Sequence, residues 1–199
     1  MATLKVCVVG PQGGGKTRMC KLLAEASPDQ PFVPTQGLRA QEAIPDQQYV
    51  PTQGLRVQEV ERRIGLTSIT VQLWDCSGDF RFQSCFPAMS LGMDGLIVAY
   101  NPDEDGKEPE LEKWFQLFSQ QGSMQLSANQ CLILGLHRDG GGGRPRAPIQ
   151  GKLKKLPNAV VDVGGNASRS AAHVGAELDK MLTHIVAMKR EWEENSVMN

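Results

Sequence analysis

Eight residues, Gly10-Pro11-Gln12-Gly13-Gly14-Gly15-Lys16-Thr17, constrain the fold of this chain more than any other stretch. They fit G-x-x-x-x-G-K-[ST], a pattern in which glycine-rich backbone turns its N–H groups onto a phosphate. The flanks give the motif its context. Leu4 to Val9 reads as a short buried strand, and Arg18 to Ala26 carries Met19, Leu22, Leu23 and Ala26 at helical spacing. A helix that starts at the loop adds roughly half a positive charge at its N-terminus. Gln12, Gly13, Gly14 and Gly15 line the loop, Lys16 is expected to reach the β- and γ-phosphates, and Thr17 to hold magnesium. The expected ligand is a nucleoside triphosphate; the loop alone leaves open which base it carries and whether it is hydrolysed.

A second element lies further on. Ile69, Val71 and Leu73 alternate in a strand over Ser68 to Asp75, which ends in Trp74-Asp75-Cys76-Ser77-Gly78. An aspartate at that strand end suits a magnesium contact made through other ligands, and the Gly78 N–H suits a γ-phosphate. Alone, D-x-x-G carries little information; after a strand and downstream of a phosphate loop it carries much more.

Between the two lies a tandem duplication. Phe32-Val33-Pro34-Thr35-Gln36-Gly37-Leu38-Arg39 is followed by Tyr49-Val50-Pro51-Thr52-Gln53-Gly54-Leu55-Arg56, an offset of 52 − 35 = 17 residues. Two copies are too few for a solenoid. Arg56 to Glu61 is expected to form a strand, closed onto the next by a hairpin over Arg62 to Thr67. Either Thr35 or Thr52 is a candidate magnesium ligand. Thr52 is preferred, because its copy runs directly into the strand that pairs with the Asp75 strand. The preceding loop lengthens at a cost of only ~0.6 kcal/mol per doubling.

The remaining chain alternates strand and helix. Gly95 to Tyr100, Cys131 to Leu136 and Ala159 to Val163 read as strands. Pro109 to Gln120, with Leu111, Trp114, Phe115 and Phe118, and Ser170 to Glu194 read as amphipathic helices. Phe80, Phe82, Phe86, Met89 and Leu91 crowd the segment after Gly78, as core or as a partner-binding surface, core being favoured. The expected fold is α/β, a phosphate-loop nucleotide-binding domain spanning 1–199, with a mostly parallel sheet and helices on both faces.

Composition excludes several classes. A net charge of −1 gives no global attraction to nucleic acid or anionic lipid, and the basic run of Arg144, Arg146, Lys152, Lys154 and Lys155 lacks interleaved aromatics. Five cysteines without C-x-x-C spacing point to reduced thiols. No apolar stretch approaches the ~18 residues of a membrane span. Ala2 and the cysteine-free end Ser196-Val197-Met198-Asn199 argue against myristoylation and prenylation, so no direct membrane anchor is expected.

Lys16-Thr17, the Pro-Thr-Gln-Gly elements and Trp74-Asp75-x-x-Gly78 resemble the small GTPases of the Ras and Rab class over nearly the whole length. Pro-Thr-Gln-Gly-Leu-Arg, Trp-Asp-Cys-x-Gly-Asp and Phe82-x-Ser84-Cys85-x-Pro87-Ala88 are similar to one branch, the Rab-like GTPase subunit of the intraflagellar transport B complex. That resemblance implies GTP or GDP with Mg2+ as cofactors. It implies the coiled-coil subunit pair of the transport complex as partner, and cytoplasm and cilium or flagellum as location.

Four departures qualify it. Gln12 stands where most members carry glycine, and Asp79 where most carry the glutamine that orients the attacking water. An inward-pointing Asp79 would repel the γ-phosphate, so no catalytic residue is assigned. Asn-Lys-x-Asp appears as Leu136-His137-Arg138-Asp139: Asp139 can still read guanine, while His137 replaces the lysine that flanks the base. Losing one buried hydrogen bond costs ~1–3 kcal/mol, or roughly five- to 150-fold in affinity. The Ser-Ala-Lys element has only a weak counterpart in Val163-Gly164-Gly165.

These residues suit a GTP-binding interaction module with weak or absent hydrolysis, since even intact members hydrolyse at only ~10⁻⁴ per second unaided. The alternatives are a regulated switch whose partner completes the catalytic site, or a small-molecule kinase using Arg138, Arg144 and Arg146 as a lid.

Overall fold

Strand β1, Ala2–Val9, sends Leu4, Val6 and Val8 to one side of the sheet and Cys7 and Val9 to the other, and all five are buried. A strand buried on both faces needs cover on both faces, and that requirement organises the rest. In a computed structural model the described residues are 2–25, 51–104, 108–119, 126–137, 149, 151–163 and 166–197. They form a six-stranded sheet, built from β1, β2 (Leu55–Ile64), β3 (Thr67–Cys76), β4 (Gly95–Tyr100), β5 (Cys131–His137) and β6 (Asn158–Asp162). The strand order is β2-β3-β1-β4-β5-β6, with only β2 antiparallel to its neighbour.

Helices α1 (Lys16–Glu25) and α4 (Ala167–Val197) cover one face, where Met19, Leu23, Val174, Leu178 and Leu182 meet Val6, Val71, Leu73 and Leu134. The other face is covered by the five-residue α2 (Phe86–Ser90) and by α3 (Glu108–Ser119). There Phe86, Trp114 and Phe118 pack over Cys7, Val98 and Ile133. The mostly parallel α/β architecture expected from the alternation is therefore the one observed.

Boundaries differ where tertiary contacts extend an element. β2 runs on to Ile64, leaving only Gly65-Leu66 as the turn, instead of ending at Glu61. The reason is on the α1/α4 face. Arg62 forks onto Asp179 of α4 at 2.8 and 2.5 Å, and Ile64 packs against the core. α4 starts at Ala167 rather than Ser170, because the Asn166 side chain accepts from the Arg169 N–H at 3.1 Å and caps the helix. It runs to Val197, past Lys189, whose ammonium pairs with Asp94 at 2.6 Å.

The aromatic cluster divides. Phe86 and Met89 are core, Phe80 and Phe82 lean on the core, and Leu91 is exposed. The five cysteines are free thiols, with only Cys85 exposed.

Candidate nucleotide and magnesium site

The described site elements meet at the carboxyl ends of β1, β3, β4 and β5. The phosphate loop turns sharply at Gly10, whose φ of +132° suits only glycine; a Cβ there would stand 2.1 Å from the Ala99 carbonyl oxygen at the end of β4. On its far side the loop rests on β5, since a Cβ at Gly15 would meet the buried Leu136 side chain at 3.0 Å. In the departed base motif, Leu136 thus holds the loop by apolar contact.

Lys16 is 6% exposed. Its ammonium donates to the Gly10 and Pro11 carbonyls at 2.8 and 2.7 Å. Burial lowers its pKa to about 8, against the opposing pull of the Asp75 charge. The side chain is therefore folded back along its own loop, held by two neutral acceptors.

Strand periodicity brings the next residues together. In β3, Ile69, Val71 and Leu73 face α1 and α4, and Asp75 continues that face, fully buried beside the first turn of α1. Thr17 Oγ1 donates to Asp75 Oδ2 at 2.6 Å and lies 2.9 Å from Thr52 Oγ1. Thr52 also donates to Asp75 Oδ2 at 3.4 Å. Thr52 is brought there by β2, because the Gly54 carbonyl accepts from the Ser77 N–H at 2.8 Å and Leu55 pairs with Cys76. Burial raises the pKa of Asp75, opposed by the Thr17 hydrogen bond and by Lys16. Its second oxygen, Oδ1, is buried without a hydrogen-bond partner. Thr35, the alternative ligand, lies outside the described residues, as do Asp139, Arg138, Arg144, Arg146, Gly164 and Gly165.

Gly78 completes the cradle. A Cβ on it would fall 2.5 Å from the Gln12 amide nitrogen and 2.8 Å from Lys16 Nζ. The Pro11 carbonyl carbon would lie 2.7 Å away as well, so a side chain at 78 would collide with the loop where a terminal phosphate would have to pass. Residues and ligand fit: Gly78 approaches the loop backbone as closely as only glycine can, next to the Lys16 ammonium, and an orphaned carboxylate oxygen stands beside two hydroxyls. Among the described residues no group of three or more His, Cys, Asp or Glu could hold a metal alone. A magnesium ion there would draw on hydroxyls and phosphate oxygens, as that hard cation prefers.

Asp79 does not point inward as a bare charge. It caps the 3-10 helix Phe80–Cys85, accepting from the Arg81 N–H at 2.9 Å and pairing with the Arg81 guanidinium at 2.7 and 2.6 Å. These contacts with Arg81 hold its carboxyl below the usual range. Phe80 stacks on Trp114 at 4.6 Å and anchors this segment to α3.

His137 ends β5, buried, with Nδ1 within 2.8–2.9 Å of both Asp103 oxygens and Nε2 buried without a partner. Its carbonyl accepts from the Val163 N–H at 2.7 Å. Asp103 and Arg81 are the residues that sequence reasoning did not single out. A buried histidine at a strand end calls for a carboxylate from the neighbouring loop, and Asp103 lies just past β4. Arg81, two residues beyond a capping aspartate, has the spacing of a turn pair.

Residues 5–139 match the family model described as Ras of Complex, Roc, domain of DAPkinase. Intraflagellar transport protein 22 of Chlamydomonas reinhardtii is 32% identical over 202 residues, covering 98% of this chain and 95% of that protein. The chain belongs to the intraflagellar transport protein 22 family of Ras-like GTPases. The Danio rerio and Homo sapiens homologues of intraflagellar transport protein 22 are 31% and 30% identical, each covering all of this chain, and 98% and 100% of their own lengths. A GTP-bound crystal structure of T. brucei IFT22/74/81 shares the fold, with a TM-score of 0.67 at 24% identity over 96% of this chain and 99% of that one. This intraflagellar transport protein 22 family member thus has the branch and the fold that its motifs resemble.

Proposed function

We propose that the chain is an atypical GTP-binding, Rab-like protein with weak or absent intrinsic hydrolysis. It acts as a nucleotide-dependent interaction subunit of the intraflagellar transport B complex, in cytoplasm and cilium or flagellum. The observation that carries the reading is the cluster of Thr17, Thr52 and Asp75, which joins the phosphate loop, the segment before β2 and the end of β3 around one buried carboxylate oxygen. Loop amides and Lys16 would hold the phosphates, Thr17 and Thr52 would ligate Mg2+, Asp75 would orient them, and Asp139 would read guanine. The bound ion would neutralise phosphate charge.

Weak hydrolysis follows from Asp79, whose carboxylate is committed to Arg81 and is unavailable to orient water. A ligand joining Thr52 to the phosphate loop would couple nucleotide state to the segment before β2, a change a protein partner can read. Kinship with intraflagellar transport protein 22, and the GTP-bound T. brucei IFT22/74/81 assembly, support a coiled-coil pair of transport subunits as that partner.

Chromatography of nucleotide released from the purified, denatured protein tests the reading: guanine nucleotide is expected, and should be lost from Lys16→Ala. Undiminished guanine nucleotide in that variant overturns it. Unaided single-turnover hydrolysis as fast as in an intact Ras-class member overturns the slow-hydrolysis part.

A further inference from the structure

Arg81 is a residue no motif assigns a task. Its side chain is 85% exposed, yet its guanidinium reaches back to Asp79, whose own side chain is only 16% exposed. A surface ion pair of that kind adds little stability. Its position gives it another consequence. Asp79 directly follows Gly78, whose Cα stands against the Gln12 backbone amide and the Lys16 ammonium. Its carboxylate, held by Arg81, therefore stands one residue beyond the glycine at the rim of the expected terminal-phosphate position. Alone, it would oppose that phosphate's charge. Paired with a guanidinium at 2.6 Å, it presents a nearly neutral group.

We propose that Arg81 is a specificity-determining residue that acts through Asp79: by cancelling the carboxylate's charge, it lets the site accept a nucleoside triphosphate as readily as a diphosphate. The inference rests on the reading of the site as a guanine-nucleotide site. It concerns only the γ-phosphate, because a diphosphate ends short of the Asp79 rim. Arg81 touches no ligand; it positions and neutralises Asp79.

The test is a comparison of dissociation constants for GDP and a non-hydrolysable GTP analogue, with magnesium, at low ionic strength where exposed charges are least screened. Wild type, Arg81→Gln, Asp79→Asn and the double variant are compared. Asparagine keeps the acceptor that caps the 3-10 helix while removing the charge, and GDP affinity reports folding in every variant. Arg81→Gln is expected to weaken the analogue about tenfold and GDP less than twofold. The double variant is expected to recover the analogue's affinity, since no charge is left to cancel. Equal losses for both nucleotides, no loss, or no recovery in the double variant overturns the proposal. A wild-type protein that binds neither nucleotide overturns the functional reading itself, and this inference with it.

Discussion

Thr17 and Thr52 stand with their hydroxyl oxygens 2.9 Å apart, both turned to the same oxygen of Asp75. Of the two identical Pro-Thr-Gln-Gly-Leu-Arg copies, it is the second that β2 carries to the phosphate loop. Thr52→Ala should therefore weaken magnesium-dependent binding of a GTP analogue about tenfold, the order of one lost charge-assisted contact. Thr35→Ala should leave it unchanged. Excising residues 34–50, which joins Val33 to Pro51 and keeps one copy intact, should also preserve binding. Titration with a fluorescent analogue checks all three; loss in Thr35→Ala with retention in Thr52→Ala would reverse the assignment.

Nucleotide affinity should fall as pH rises. Phosphate binds the ammonium form of Lys16, whose pKa in the free protein is lowered to about 8 by burial. Below that value the free protein already carries the proton. Above it the proton must be taken up on binding, so affinity falls by up to about tenfold per pH unit until the bound-state pKa is reached. Calorimetry at pH 9 in buffers of different ionisation enthalpy should register proton uptake. A dissociation constant that stays flat from pH 7 to 9.5 contradicts this.

Gly78→Ala should separate triphosphate from diphosphate. The added methyl would stand 2.5 Å from the Gln12 amide nitrogen and 2.8 Å from Lys16 Nζ, where a phosphate oxygen is expected. A loss of about 100-fold for the GTP analogue corresponds to two displaced charge-assisted contacts. GDP affinity should change much less, and comparable losses for both would place the terminal phosphate elsewhere.

Leu136→Ala should destabilise the fold by about 2–5 kcal/mol, the range for a fully buried leucine. It should also speed nucleotide release, because Leu136 is the side chain against which Gly15 rests. Urea denaturation and stopped-flow release measure the two effects. Loss of stability without faster release would confine Leu136 to the core.

The strands and the phosphate loop were legible because each rests on a local rule. Glycines mark the loop, and strict alternation at Ile69, Val71 and Leu73 sets the face on which Asp75 emerges. What lay beyond reach depends on partners distant in the chain. The extra length of β2 exists because Arg62 finds Asp179, 117 positions away. Asp79 looked like an exposed anion beside the phosphate, and only the geometry of the following turn shows Arg81 folded back upon it. Likewise, the vacant asparagine position of the base motif suggested a lost hydrogen bond, whereas Leu136 exchanges it for packing. Thr52 could be preferred over Thr35 by adjacency to β2, but its meeting with Thr17 depends on how the segment before β2 folds over α1.

Because neighbouring positions of β3 look out on opposite faces, Asp75 shares its strand with side chains bound for the aromatic layer. Inserting a single residue upstream in that strand would turn the carboxylate toward the layer of Phe86 and Trp114 and put Trp74 beside Thr17. Such a frame error would strand an anion in hydrocarbon and leave the metal ligands facing indole. Correct strand alignment and competence to hold nucleotide are therefore tested by one and the same residue, so a misaligned chain would fail as a ligand binder and as a folded core together.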